Sequence, residues 1–314
     1  MKQRIAYFDT AKGILIILVV LGHVFESGPV NQYIYSFHMP AFFIISGMMQ
    51  HYSGTLKKPL RTVILSKIYS LVIPFLFFEV LGVLSNIVRF GVTLNIFGYA
   101  YNTLTLCCNN GPCWFLWALF VDEVMFVLIH RCLKSRWTIW GISTAIGLFM
   151  VTNRDFYSLF GSTGVGFMFL TFGYYALPLF TKHHPKTLLL IVGIVSVLSC
   201  VYNGKVDLGT WVFGDIPLYV IGSVSGTFLV IESSKLIHSK MLEHFGRNTL
   251  TVLGTHQAIN LALRTRMGFA EYPLLVGIVV FIFILAIQYP IIHIFNKYLP
   301  FLIGKKKLLF SKNP

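Results

Sequence analysis

Asp9-Thr10-Ala11-Lys12-Gly13-Ile14-Leu15-Ile16-Ile17-Leu18-Val19-Val20-Leu21-Gly22-His23-Val24-Phe25-Glu26 is the stretch that sets the fold class. An unbroken apolar run, Ile14 to Leu21, separates a charged end from one that carries an imidazole and a carboxylate. A membrane-crossing helix needs roughly 20 predominantly apolar residues, fewer where polar groups face protein rather than lipid. Nine further stretches of this kind follow, so the chain reads as an all-α, polytopic membrane protein of ten transmembrane helices. They fall near residues 8–26, 33–50, 65–88, 113–130, 137–152, 158–180, 187–203, 213–231, 249–264 and 273–296. The sequence has no internal repeat and no break in composition, and residues 1–314 read as a single domain.

Composition agrees with lipid as the solvent. With 56% hydrophobic residues, 11% charged residues and a mean hydropathy of +0.74, the chain holds more apolar side chains than one water-soluble core would bury. A net charge of +14 in a soluble protein points to nucleic acid, but here Lys and Arg stand in short clusters between apolar runs and face anionic lipid instead. The basic start, Lys2 and Arg4, followed by an apolar stretch raises the question of a signal peptide; no small-x-small site follows Leu21, which argues against one. The five cysteines lack metal-ligand spacing, so no metal site is expected. Pairing of Cys107 or Cys108 with Cys113 and free thiols are both open readings.

The loops decide the orientation. The N-terminus, residues 57–67, 131–136, 182–186, 235–247 and the tail 297–312 hold 19 of the 25 Lys and Arg residues. The opposite side holds Arg89, Arg154, Lys205, Arg264 and Arg266. By the positive-inside rule both termini are cytoplasmic. The tail lysines Lys305, Lys306, Lys307 and Lys312 are expected to meet lipid headgroups.

Within the first segment the polar residues form a stripe. At about 100° per residue, Lys12 and His23 point within about 20° of one another, and Asp9 and Glu26 extend the same face by one turn at either end. Lys12 and His23 stand about 16 Å apart along the axis at about 1.5 Å per residue. Ionisable groups at such depth are costly and mark a functional cavity more often than structural pairing.

Tyr7-Phe-Asp9-Thr-Ala-Lys12-Gly13, the Lys12-x10-His23 spacing and Phe37-His38-Met39-Pro40-Ala-Phe-Phe-Ile-Ile-Ser46-Gly47 resemble the acyltransferase-3 family, and within it the fucose 4-O-acetylase-like branch. Weaker matches lie at Ile73-Pro74-Phe75, at Cys113-Trp114-Phe115-Leu116, and at Phe245-Gly246-Arg247-Asn248-Thr249-Leu250 running to His256. The family usually carries Arg where Lys12 stands, so this chain keeps the charge and loses bidentate phosphate recognition there. The resemblance implies a ten-helix fold and a bacterial inner-membrane enzyme. Its reaction would be O-acyl transfer, most often of acetyl, from an acyl-CoA co-substrate such as acetyl-CoA to a saccharide or lipid-linked glycan. Glycan-assembly proteins are possible partners.

On that reading His23 and His38 are the catalytic candidates, one as base toward the acceptor hydroxyl or as a transient acyl carrier, with Glu26 orienting the His23 ring. Pro40 is expected to kink the helix beside His38. Lys12, with Asp9 beside it, is the candidate for the donor phosphates, with Arg61, Lys67 and Arg131 as helpers. Supporting roles fall to Glu79 and Asp122, carboxylates inside apolar segments, and to Trp114, an aromatic platform for a sugar ring. His256 and Asn260 share a helix face with Thr249. A transporter using the same polar path is the competing reading; it requires paired broken helices in two related halves, and the sequence has none.

Overall fold

The computed structural model describes residues 5–90, 98, 101, 102, 108–153 and 162–305. Lys2, Arg4, Cys107, Arg154, the start of the 158–180 segment and the tail lysines Lys306, Lys307 and Lys312 lie outside them. The described residues form helices, apart from one backbone bridge between Asp207 and Val212. Helices α1 (Ala6–Val24), α2 (Pro29–Tyr35), α3 (His38–Ser53) and α4 (Leu60–Lys67) come first, and a π-helical turn at Ile68–Val72 joins α4 to α5 (Ile73–Phe90). Then follow α6 (Trp114–Cys132), α7 (Arg136–Thr152), α8 (Val165–Phe180), α9 (Lys186–Asn203), α10 (Ile216–Leu236), α11 (Lys240–Arg247), α12 (Thr249–Met267) and α13 (Leu274–Tyr298).

A helix is present at each of the ten expected stretches, and among the described residues six helices are long and apolar enough to cross a membrane. These are α1, the continuous Leu60–Ile87 helix, Gly111–Cys132, α9, α10 and α13; α8 is a shorter apolar helix. The chain is a multi-pass membrane protein. Its outer wall supports this: α9 and α13 bury only 17% and 28% of their apolar windows and leave Leu190, Val201, Leu275 and Val279 bare, side chains that only lipid would cover at low cost. Helix α1, at 61% buried, runs through the centre and touches α2, α3, α10, α11, α12 and α13.

Two contacts hold this arrangement by bringing backbones together. A Cβ at Gly13 would lie 2.0 Å from the Leu242 carbonyl oxygen and one at Gly246 would lie 1.8 Å from that of Asp9, so α1 and α11 meet through glycine alone. In the same way Gly47 of α3 lies on Leu170 of α8, and Gly173 of α8 on Ile44 of α3. Close small-residue packing suits helices in lipid, where apolar burial drives little association between them.

The expected 33–50 helix is split. The chain leaves helix at Phe37 (φ −144°) and restarts at His38, so Pro40 falls in the first turn of α3, where its missing N–H costs nothing. Pro40 therefore starts a helix instead of kinking one. Lys305, expected at the headgroups, donates inward to Asn248 Oδ1 (2.5 Å) and Asn296 Oδ1 (2.7 Å). Cys113 is a free thiol.

Candidate active site

The end of α1 at His23 is built first by its backbone. A helix leaves its last carbonyls without partners, and here three side chains from elsewhere supply them. Asn31 Nδ2 donates to the Gly22 and Phe25 carbonyls (2.9 and 2.7 Å), Asn260 Nδ2 to that of His23 (2.8 Å), and Arg264 Nη2 to those of His23 and Val24 (3.3 and 3.2 Å). The Arg264 charge also suits a helix C-terminus. Asn260 thus makes a helix-to-helix hydrogen bond to the residue that carries the His23 ring.

Glu26 is not on that ring. Its carboxylate pairs with Arg264 at 2.9 Å, half out in solvent, because the chain turns away from helix at Phe25. The neighbours of His23 are aromatic: the His256 ring centroid is 5.1 Å away and that of Tyr35 6.3 Å, with His38 a further 4.8 Å beyond Tyr35. His38 Nδ1 lies 2.8 Å from the Ile34 carbonyl and His256 Nδ1 2.8 Å from that of Val252. A carbonyl only accepts, so each Nδ1 carries the proton and each Nε2 keeps its lone pair. His256 is fully buried, and its Nε2 has no hydrogen-bond partner among the described residues.

His23, Tyr35, His38, Trp114, Asp207 and Gln257 line a cavity of about 270 Å³. Trp114 thus shares a cavity with the two candidate histidines. Asp207, Tyr35 and Gln257 were not anticipated. Gln257 follows His256 directly on α12, and Arg264 continues the His256 and Asn260 face by one more turn, a spacing already present in the sequence.

Glu79 and Asp122 both accept hydrogen bonds from backbone N–H groups. Glu79 accepts from the Asn109 and Asn110 N–H groups (2.8 and 3.3 Å), and Asn110 Nδ2 bonds the Gly254 carbonyl (2.8 Å), which fixes the turn at Gly111 and Pro112 on the cavity wall. Asp122 accepts from Gly164 N–H at 3.1 Å. Of the expected donor-site helpers, Lys67 pairs with Glu123 (2.6 Å) and Arg131 donates to the Lys58 carbonyl (2.5 Å).

The start of α1 is a different environment. Lys12 Nζ stands 2.9 Å from Asp9 Oδ1, Arg247 Nε 3.5 Å from Asp9 Oδ2, and Arg247 Nη2 2.5 Å from Glu243. Asp9 is buried, whereas a quarter of Lys12 and nearly half of Arg247 remain open. The Gly246-Arg247 pair in the sequence thereby acquires a physical reason: the glycine permits the contact and the next residue meets Asp9.

A family model described as an acyltransferase domain matches residues 5–305. Nodulation protein NolL of Sinorhizobium fredii (strain NBRC 101917 / NGR234) is 33% identical over 168 residues, 48% of this chain and 44% of the relative. Nodulation protein NolL of Mesorhizobium japonicum (strain LMG 29417 / CECT 9101 / MAFF 303099) is 32% identical over 159 residues, 46% and 40%. The matched stretch therefore spans less than half the length of either relative. No solved structure matches.

Proposed function

The chain belongs to the acyltransferase family, and from that premise we propose that it is an O-acetyltransferase of the inner membrane, moving acetyl from acetyl-CoA to a hydroxyl of a cell-surface or exported saccharide. The observation that carries this reading is the cavity in which His23 and His38 meet Trp114, at one end of a helix whose other end exposes Lys12 and Arg247. The donor phosphates would bind at the cationic end, sharing Lys12 with Asp9. The thioester would reach the His23 end.

There His23 takes the proton of the acceptor hydroxyl as its oxygen attacks the thioester carbonyl, forming the C–O bond. The tetrahedral intermediate collapses by breaking the C–S bond, and the CoA thiolate leaves with a proton returned from the imidazolium. Asn260 and Arg264 hold the reacting ring in place through the backbone, which suits a reaction whose rate depends on positioning. The Tyr35 hydroxyl is the nearby donor for the oxyanion.

We further read α3, α7, α8 and α12 as crossings in addition to those six helices, for ten in all, with both termini cytoplasmic. The distribution of Lys and Arg supports that orientation. Helices α3, α7 and α8 have only 16 or 17 residues, and α12, with 19, buries Thr251, Thr255, His256 and Asn260; such helices suit the lining of a cavity.

The test compares purified, folded wild type with His23→Ala for turnover of radiolabelled acetyl-CoA and for transfer to mixed glycans. Transfer should fall by about 10²–10⁴-fold in the mutant, the contribution of a positioned base. Equal transfer by both proteins refutes the role of His23. Failure of the wild type to bind acetyl-CoA refutes the donor.

A further inference from the structure

Between α9 and α10, residues 204–215 fold inward instead of running over the surface. Asn203 ties both ends, donating to the Phe213 carbonyl (3.1 Å) and accepting from Asp215 N–H (2.5 Å), while Asp215 caps α10 at Leu218 N–H (2.9 Å). Asp207 and Val212 exchange backbone hydrogen bonds at 2.6 and 2.9 Å. The turn between them places Trp211 at φ 62°, a strained conformation for a bulky residue. Val206, Leu208, Trp211 and Phe213 are buried beneath it, and Ser162 Oγ holds the Leu208 carbonyl at 2.6 Å. A loop pinned at this many points presents Asp207 to the cavity in one fixed position.

Asp207 Oδ1 accepts from Gly209 N–H at 2.8 Å. The carboxylate belongs to a side chain that lines the cavity together with Tyr35, His38, Trp114 and Gln257. Among the described lining residues it is the one carboxylate, and none is Lys or Arg. A phosphate or carboxylate entering here would meet negative charge and no cation. A neutral polyol would meet a carboxylate acceptor, the Gln257 amide and the Trp114 ring.

Resting on the acetyltransferase reading above, we propose that Asp207 Oδ2 binds a hydroxyl of the acceptor and restricts the acceptor to an uncharged sugar unit. The carboxylate accepts a hydrogen bond from a hydroxyl beside the one that reacts, which leaves the reacting oxygen to His23.

The test measures acetyl transfer by the full-length wild type, Asp207→Asn and Asp207→Glu to methyl hexosides and to the corresponding methyl uronides, together with acetyl-CoA hydrolysis without acceptor. The wild type should prefer hexosides. Asp207→Asn should raise KM for the hexoside by about tenfold or more, the effect of losing a hydrogen bond to a charged group, with KM for acetyl-CoA unchanged. It should also narrow the preference over uronides, and Asp207→Glu should recover part of the affinity. Unchanged hexoside KM in folded Asp207→Asn, or wild-type preference for uronides, overturns the proposal while leaving the acetyltransferase intact. Acetyl-CoA hydrolysis with no transfer to any glycoside overturns the saccharide reading itself.

Discussion

The two ends of α1 carry similar numbers of polar groups and use them oppositely. At the start, Asp9, Lys12, Arg247 and Glu243 satisfy one another in pairs, against a backbone contact that admits only glycine. At the other end, the polar groups that are paired, Asn31, Asn260, Arg264 and Glu26, serve the backbone or one another. Among the described residues the His256 Nε2 lone pair has no hydrogen-bond partner, and the Asp207 carboxylate and the imidazoles of His23 and His38 line a cavity. Ionisable groups that are partnered build the architecture, and the unpartnered ones around a cavity are where chemistry is available.

The comparison breaks most violently at the glycine contact. Gly246→Leu should prevent α11 from docking on α1, with a loss of about 3 kcal/mol or more by overpacking against backbone. The readout is the melting temperature and monodispersity of the detergent-solubilised protein, and a variant as stable as wild type would show that the contact is dispensable. Next, Asn260→Ala should lower transfer about 10- to 100-fold, since it removes the shorter of the two side-chain hydrogen bonds to the carbonyl of the residue that carries the reacting ring. Its melting point should drop modestly, and normal transfer in the variant would sever Asn260 from His23. The smallest effect belongs to Glu26→Gln. Its carboxylate is partly solvated and bound to Arg264, so the cost should be within about 1 kcal/mol, with transfer within about threefold of wild type. A hundredfold loss would mean that Glu26 reaches the His23 ring during turnover.

Much of this was legible before any coordinates. Periodicity placed Lys12 with His23 and His256 with Asn260, because a helix fixes which side chains share a face. Apolar runs located a helix at each expected stretch, since the bilayer imposes both length and hydrophobicity. The split at Phe37 was not legible, because Met39-Pro40 reads equally as a kink inside a helix or as the first turn of a new one. Asp207 carried no signal either: it lies in an aperiodic stretch whose shape depends on Asn203, Ser162 and the apolar side chains beneath it.

The sequence by itself therefore determined the all-helical class, the membrane as solvent, the acyltransferase resemblance and the composition of each helix face, all of which follow from local spacing and side-chain chemistry. Only the tertiary structure decided which faces meet. Arg264 lies 241 positions from the carbonyl it satisfies on His23, and Asp207 reaches the cavity wall from a loop between two other helices. Such pairings arise from packing and from the need to satisfy buried polar groups across the whole bundle, which no local pattern encodes.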